Sequence, residues 1–335
     1  MIASGTDVML TSTKPVIHES KIREFAADTA AYFVSAVFRN LEGTRTGDPD
    51  ALHDMRVATR RLRETVNLFQ QFYSPVRFTK TAATIKKMTR LLGLPREMDV
   101  NLERLRAFSP EGGLVVQTSY EHLLASFEQQ QSNLKNKMLK AFDKLDLQSV
   151  ESAWRDFAQS AVPDGSRIHI LFAEHQAAEL EDYTKQMPGL LWDKARPVLS
   201  FEATEQTLGN DALLHALRIA TKKLRYAFEI LKPLLETGPG EPPIGECKRL
   251  QDILGDLHDR VALINHLREH QTRLSQRNLL LLGHGVSRIA NELQAAKRTL
   301  IPEIAPAHQE LIRALPGYLL SGFLQPDSLP QAATQ

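Results

Sequence analysis

An internal duplication is the sequence feature that most constrains the fold. Segment 52–63 matches segment 214–225 at seven of twelve positions, and four further positions exchange similar residues. The same offset of 162 residues aligns two downstream pairs without a gap: Lys86-Lys87 with Lys248-Arg249, and Leu92-Gly93 with Leu254-Gly255. A second match in the same register is not expected by chance. The chain is therefore predicted to contain two similar helical bundles related by a pseudo-twofold axis.

Helical patterns dominate both repeats. Apolar residues recur at spacings of three and four, and good helix formers such as Ala, Leu, Glu and Lys are abundant. Asp48-Pro49-Asp50 is a typical helix entry, because aspartate caps a helix N-terminus well and proline is tolerated in the first turn. Gly283-His284-Gly285 predicts a kink or a helix break. The sequence as a whole predicts an all-α fold.

Proline and glycine clusters suggest where the chain divides. We predict a boundary near 162–166, and therefore a first bundle at 18–162 and a second at 163–323. Flexible tails are expected at 1–17 and 324–335. A single cysteine, Cys247, excludes an intramolecular disulfide framework and favours a reducing compartment.

Targeting signals are not evident in the sequence. The first residues lack the basic and apolar regions of a secretory signal, and no apolar run approaches the roughly 18 residues of a membrane span. We therefore expect a cytoplasmic protein with no membrane partner.

Charge is unevenly distributed along the chain. The net charge is only +1, from 41 basic and 40 acidic residues, but segment 51–106 holds twelve Lys and Arg against five acidic residues. That segment carries +7 and the remainder −6. Such segregation predicts a local positive field that favours an anionic partner.

The duplicated segment predicts a helix with one cationic face and one apolar face. At about 100° per residue, one side of each helix gathers a histidine and three basic residues: His53, Arg56, Arg60 and Arg63 in the first repeat, and His215, Arg218, Lys222 and Arg225 in the second. No acidic residue lies between Met55 and Arg63, although like charges at this spacing repel. A bound anion would relieve the repulsion, and Arg and Lys suit phosphate oxygens.

A second group of basic residues lies downstream in each repeat. Lys86, Lys87 and Arg90 lie opposite an apolar face in the first repeat, and Lys248 and Arg249 occupy the corresponding places in the second.

These motifs resemble the two signatures of the CHAD family, an α-helical domain named for its characteristic histidines. His53–Arg63 and His215–Arg225 are similar to His-x-x-Arg-x-x-x-Arg/Lys-Arg/Lys-Leu-Arg. Leu92–Val100 and Leu254–Val261 are similar to Leu-Gly-x-x-Arg-Asp-x-Asp-Val. Two positions depart from the signature: Glu97 stands in place of Asp, and His258 stands in place of Arg. The family's binding role is therefore assigned to Arg96 and not to His258. The resemblance covers about residues 18–320.

The resemblance implies two four-helix bundles that face each other across a basic central cleft or pore. It further implies non-enzymatic binding of inorganic polyphosphate or another polyanion, with association with polyphosphate granules as one expected role. No cofactor or metal is expected. A triphosphatase domain is not expected either, because Glu179-Leu180-Glu181 does not continue into the required Glu-x-Glu-x-Lys. The polyphosphate-binding residues that we expect are His53, Arg56, Arg60, Arg61, Arg63, Lys86, Lys87, Arg90, Arg96, His215, Arg218, Lys222, Lys223, Arg225, Tyr226, Lys248 and Arg249.

Three other functions fit parts of the same pattern. Nucleic-acid binding would use the basic faces, although Tyr226 is the only aromatic residue among them and the sequence pI is about 7.9. A phosphotransfer bundle would use His53 or His215 as the phospho-acceptor, and a scaffold would pair the basic faces with acidic helices.

A separate pattern lies outside the basic faces. His266, Glu269 and His270 fit an inverted zinc-protease pattern, but no third ligand is identifiable from the sequence.

Overall fold

The computed structural model describes residues 19–162, 191–235 and 242–315. Within these ranges every regular element is helical, which confirms the all-α class. In the first repeat the helices are α1 (Glu19–Arg39), α2 (Leu41–Thr46), α3 (Pro49–Leu68), α4 (Pro75–Gly93), α5 (Arg96–Ala107), α6 (Leu114–Phe142) and α7 (Leu147–Gln159). In the second they are α8 (191–199), α9 (Glu205–Leu208), α10 (Asp211–Leu235), α11 (Ile244–Gln276), α12 (Leu280–Arg298) and α13 (Ile301–Ala314).

The two basic helices, α3 and α10, begin at matched capping residues. The Asp48 side chain accepts a hydrogen bond from the backbone N–H of Asp50 at 2.9 Å, as the entry motif predicts. Asn210, which lies 162 residues further on, accepts from the N–H groups of Ala212 and Leu213 at 3.0 and 3.2 Å. Each cap satisfies backbone donors that a helix leaves without partners in its first turn.

The repeats differ where the second signature lies. In the first repeat α4 ends at Gly93, and α5 begins after Pro95, which lacks a backbone N–H and interrupts the helix. The matched residue in the second repeat is Leu257, and α11 runs through it without a break. Arg96 therefore lies in the first turn of a short helix, whereas the matched His258 lies in the middle of a long one.

Two buried clusters hold the helices together. The larger unites α1, α3, α4 and α7 with α8, α10, the first part of α11 and α13, and α3 packs directly against α10. The smaller is built from α5, α6, the last part of α11 and α12. Both clusters draw on both repeats, and the sequence pattern does not predict the second one. The boundary near 162–166 stays a prediction, since residues 163–190 lie outside the described part of the chain, as do the tails at 1–17 and 324–335.

A close approach of α6 and α12 explains one of the glycines. Of the kink or helix break expected at Gly283-His284-Gly285, the break is wrong, because α12 is continuous from Leu280 to Arg298. The kink stays a prediction. A Cβ atom on Gly285 would stand 2.1 Å from Ser119 Oγ and 2.8 Å from the carbonyl oxygen of Val115. Gly285 is therefore needed for contact between the two helices rather than for a break in one of them.

Candidate functional site

A cleft of about 760 Å³ lies where helices of the two repeats meet. Helix α3 contributes His53, Arg56 and Arg60, while α10 contributes Arg218. Arg96 projects from α5, and His258 and His266 from α11. The cleft thus collects cations and imidazoles from segments up to 213 residues apart in sequence.

The amphipathic character of α3 and α10 directs these side chains into the cleft. On α3, Met55 and Leu62 are fully or almost fully buried, and on α10 Leu217 and Leu224 occupy the matched positions and are equally buried. Burial of such side chains stabilises a fold by about 1.5–3 kcal/mol each. Their packing fixes the rotation of each helix, so the opposite, cationic face points into the cleft.

Tyr226 lies between two guanidinium groups. The Cζ atom of Arg60 stands 5.2 Å from the centre of the Tyr226 ring, and that of Arg225 stands 5.1 Å from it. Both distances fall within the range of cation–π attraction. Tyr226 is itself buried, so it acts in the packing of α3 against α10.

One carboxylate, that of Glu229, partly neutralises cations of α3 and α10 that do not line the cleft. Glu229 Oε2 lies 3.2 Å from an Arg61 guanidinium nitrogen, and Glu229 Oε1 lies 3.5 Å from Arg225 Nε. Arg63 is paired separately with the neighbouring Glu64 at 2.7 Å. Arg61, Arg63 and Arg225, all expected to bind phosphate, therefore already have protein partners.

Closer to the cleft the cations crowd one another. Burial, reinforced by Arg218, Arg60 and Arg63, lowers the pKa of Lys222 to about 8. Burial also lowers the pKa of Arg56 and of Arg60, with a further contribution from neighbouring arginines in each case. A lowered pKa for a basic group means that its charged form is disfavoured, so an arriving anion would stabilise the whole group.

Two of the cleft-lining arginines have a buried guanidinium nitrogen that remains available for hydrogen bonding. The Nε atoms of Arg60 and Arg218 are buried, and neither has a hydrogen-bond partner among the described residues. A buried donor without an acceptor is unfavourable by about 1–3 kcal/mol. Both arginines line the cleft, where a phosphate oxygen is a suitable acceptor.

Two histidines meet beside the cleft, where His258 is a lining residue and His215 lies against it. The Nδ1 atoms of His215 and His258 are 3.1 Å apart, and the ring centroids are 4.5 Å apart. Burial lowers the pKa of both imidazoles, and the nearby Arg218 and Lys222 lower them further. His258 is not among the binding residues that the sequence predicts. Its match to Arg96 at the repeat offset is the signal that could have found it.

The cleft also has acidic lining residues, and all of them come from α5 and α11. They are Glu97, Asp259 and Glu269. Glu97 lies 3.7 Å from His266 Nδ1, and Asp259 lies 3.5 Å from an Arg104 guanidinium nitrogen. Helices α3 and α10 contribute no acidic residue to the lining. Three of the four lining arginines, Arg56, Arg60 and Arg218, therefore come from helices that add no acidic residue to the cleft.

The remaining expected binding residues lie away from this cleft. Lys86, Lys87, Lys223 and Lys248 are exposed and do not line it. Arg249 is also exposed and pairs with Glu310. Arg90 lines a neighbouring depression of about 460 Å³, which shares Gly93, Glu97 and His266 with the cleft.

The described residues show no arrangement suited to a metal ion or a membrane. In residues 19–162, 191–235 and 242–315 no group of three or more His, Cys, Asp or Glu side chains could hold a metal. His270 of the zinc-protease pattern is buried instead against Phe127 and His122. Within the same ranges no helix combines the length and the apolar character that a membrane crossing requires.

Comparison with known proteins identifies the family. A model of the CHAD domain matches residues 29–268, which include both copies of the first signature and both copies of the second. The chain belongs to the CHAD domain family.

Two solved structures share this CHAD fold. The crystal structure of the CHAD domain from the plant Ricinus communis superposes with a TM-score of 0.61 at 19% identity, covering 88% of this chain and 95% of that one. PptA from Streptomyces chartreusis gives a TM-score of 0.56 at 16% identity, covering 87% and 99%. No curated protein matches the sequence significantly. At these identities the structural likeness concerns the fold alone.

Proposed function

We propose that this CHAD domain binds inorganic polyphosphate in the cleft between its repeats and does not alter the polymer chemically. The observation that carries the proposal is the crowding of cations where α3 meets α10. Lys222 has a pKa of about 8 because it is buried beside Arg218, Arg60 and Arg63. A fold that holds several positive charges together against their repulsion is suited to a ligand with several negative charges.

A linear polyanion fits this arrangement better than a single phosphate does. The cleft-lining part of α3, from His53 to Arg60, extends for about 10 Å at about 1.5 Å per residue, and Arg218 and Arg96 add charge from two other helices. One phosphate can contact only part of such a surface. Linked phosphates can occupy several positions once the first is bound, so affinity is expected to increase with chain length. Displacement of counterions should make the affinity fall steeply with salt.

The surroundings of Tyr226 favour polyphosphate over a nucleic acid. Stacking of bases on exposed aromatic rings supplies much of the affinity for single strands. Tyr226 is the one aromatic residue of the basic motifs, and it is buried beside Arg60 and Arg225. Its ring is therefore not accessible to a base. We further propose that the protein acts in the cytoplasm, including at polyphosphate granules, which localisation of a fluorescent fusion would test.

Calorimetric titration with polyphosphate of increasing chain length, at two salt concentrations, tests the binding proposal. The test variant is Arg56→Glu/Arg60→Glu/Arg218→Glu, which reverses three charges of the cleft. The matched control is Lys137→Glu/Lys140→Glu/Lys144→Glu, which makes the same change in net charge at exposed positions elsewhere. We expect affinity that increases with chain length, decreases with salt, is lost in the cleft variant and is largely retained in the control.

Three results would contradict the proposal. Equal loss of binding in both variants would show that overall charge, not the cleft, is responsible. Displacement of polyphosphate by single-stranded DNA or RNA at equal phosphate concentration would favour a nucleic-acid ligand. Shortening of the polymer or release of phosphate during incubation would contradict the non-enzymatic role.

A further inference from the structure

Two matched pairs of residues, which we call the two ends of the site, carry different chemistry although they occupy equivalent positions of the repeat. In the first repeat His53 and Arg96 line the cleft. The residues 162 positions further on are His215 and His258. One end therefore has a permanent cation where the other has an imidazole, and that imidazole lies 3.1 Å from a second one.

The contact between His215 and His258 restricts the hydrogens that the pair can carry. Two Nδ1 atoms at hydrogen-bond distance need one donor and one acceptor. The imidazole that donates from Nδ1 has no hydrogen on its Nε2 when neutral, whereas its partner does. A neutral pair therefore offers only one Nε2–H donor. One added proton gives the pair two Nε2–H donors and a positive charge, and keeps the contact between the Nδ1 atoms.

Charged groups from four helices surround this pair or face the same cleft. Arg218 and Lys222 lie closest and disfavour protonation, whereas Asp259 favours it. The other titratable or charged residues that line the cleft are His53, Arg56 and Arg60 on α3, Arg96 and Glu97 on α5, and His266 and Glu269 on α11. Burial is the largest cause of the lowered pKa of both histidines, and the positive charges of Arg218 and Lys222 add to it. A bound anion neutralises these two charges and so removes the electrostatic part of the opposition to a proton on the histidines.

We propose that His258 is a further anion-binding residue and that the His215–His258 pair takes up a proton from solvent when polyphosphate binds. The affinity then rises as the pH falls. This inference rests on the proposed function, because it requires the anion to occupy the cleft.

The direction of the effect follows from linkage. Both imidazoles have lowered pKa values in the free protein, so the pair is largely neutral near pH 7. The bound anion favours the charged form, and the complex therefore holds more protons than the free components. Each proton taken up strengthens binding by at most about tenfold for a decrease of one pH unit. The internal phosphates of a long polymer are strong acids and stay ionised, so the uptake belongs to the protein.

Calorimetry in buffers of different ionisation enthalpy counts the protons taken up with long-chain polyphosphate between about pH 5.5 and pH 7.5. Two reciprocal variants exploit the repeat. His258→Arg gives the second end the residue of the first, and we expect less proton uptake and a flatter pH dependence. Arg96→His gives the first end the residue of the second, and we expect greater uptake. His284→Gln, at an exposed position outside the cleft, is the matched control and should behave as the wild type.

The outcomes separate this inference from the proposed function. Wild-type binding with the same proton uptake in His258→Arg and Arg96→His overturns the role of His258 and leaves the polyphosphate site in place. Absence of binding by the wild type at every pH overturns both. Thermal melts followed by circular dichroism verify that each variant is folded. Should His258→Arg unfold, the gain expected for Arg96→His still decides the inference, because unchanged uptake in that variant contradicts it.

Discussion

Replacement of Lys222 by methionine is expected to stabilise the free protein while it weakens ligand binding. The pKa of Lys222 falls from 10.5 to about 8 in the fold, chiefly through burial and then through Arg218, Arg60 and Arg63. That change corresponds to about 3 kcal/mol against the charged form, and solvent screening makes this an upper bound. Methionine has a similar length and no charge, so Lys222→Met should raise the free energy of unfolding at pH 7 by about 1–3 kcal/mol.

The pH dependence gives this prediction a definite sign. Below about pH 8 lysine is protonated in both the folded and the unfolded state, and the full penalty applies. Between about pH 8 and pH 10.5 the folded state loses its proton first, so the wild type gains stability relative to Lys222→Met. Above that range lysine is neutral in both states, and the difference between the two proteins should be small.

Urea unfolding of both proteins at about pH 7 and pH 9.5 measures the difference in the free energy of unfolding. The same measurement in the presence of long-chain polyphosphate shows how much the ligand stabilises each protein. The ligand should raise the stability of the wild type more than that of Lys222→Met, because the variant offers one cation fewer. A lower stability of Lys222→Met at pH 7, or a difference that does not shrink as the pH rises, would refute the argument that the charge on Lys222, disfavoured by burial and by its cationic neighbours, opposes folding.

Two further predictions concern packing and the exposed lysines. Gly285→Ala should lower the free energy of unfolding by about 2–3 kcal/mol, because the new Cβ would stand 2.1 Å from Ser119 Oγ. Gly93→Ala is the control and should leave the free energy of unfolding nearly unchanged, because the space around its Cβ position is open. Urea unfolding of the two variants tests the difference, and equal effects would contradict it. Lys86→Glu/Lys87→Glu/Lys248→Glu should reduce polyphosphate affinity far less than the triple reversal in the cleft, since these three side chains are exposed and do not line it. Comparable losses in a parallel titration would instead extend the binding surface to α4 and the start of α11.

The sequence was most informative where local patterns determine structure. The duplication predicted two matched basic helices, and α3 and α10 begin at the matched caps Asp48 and Asn210. Helical periodicity also separated the faces correctly, since the apolar residues of both helices are buried and His53, Arg56, Arg60 and Arg218 line the cleft. These features depend on neighbours within a few turns of one helix, which a single sequence displays.

Tertiary pairing could not be predicted in the same way. Glu229 forms an ion pair with Arg61, which is 168 positions away in sequence, and no local sequence pattern predicts that contact. The second buried cluster likewise depends on α5 and α6 packing with α11 and α12, helices whose patterns specify an apolar face but not its partner. The exposure of Lys86 and Lys248 follows from the same tertiary packing.

The cleft can hold cations that repel one another because the apolar faces of α3 and α10, opposite the cleft, are packed in the hydrophobic core. Met55 and Leu62 on α3, and Leu217 and Leu224 on α10, are buried in one shared cluster, and each contributes about 1.5–3 kcal/mol. Together they exceed the roughly 3 kcal/mol that opposes the charge on Lys222. The apolar faces therefore hold the cationic faces together without a ligand, so the site is preorganised. Because little ordering remains to be done on binding, an anion that stabilises the charged form of Lys222 can convert part of this opposition into affinity.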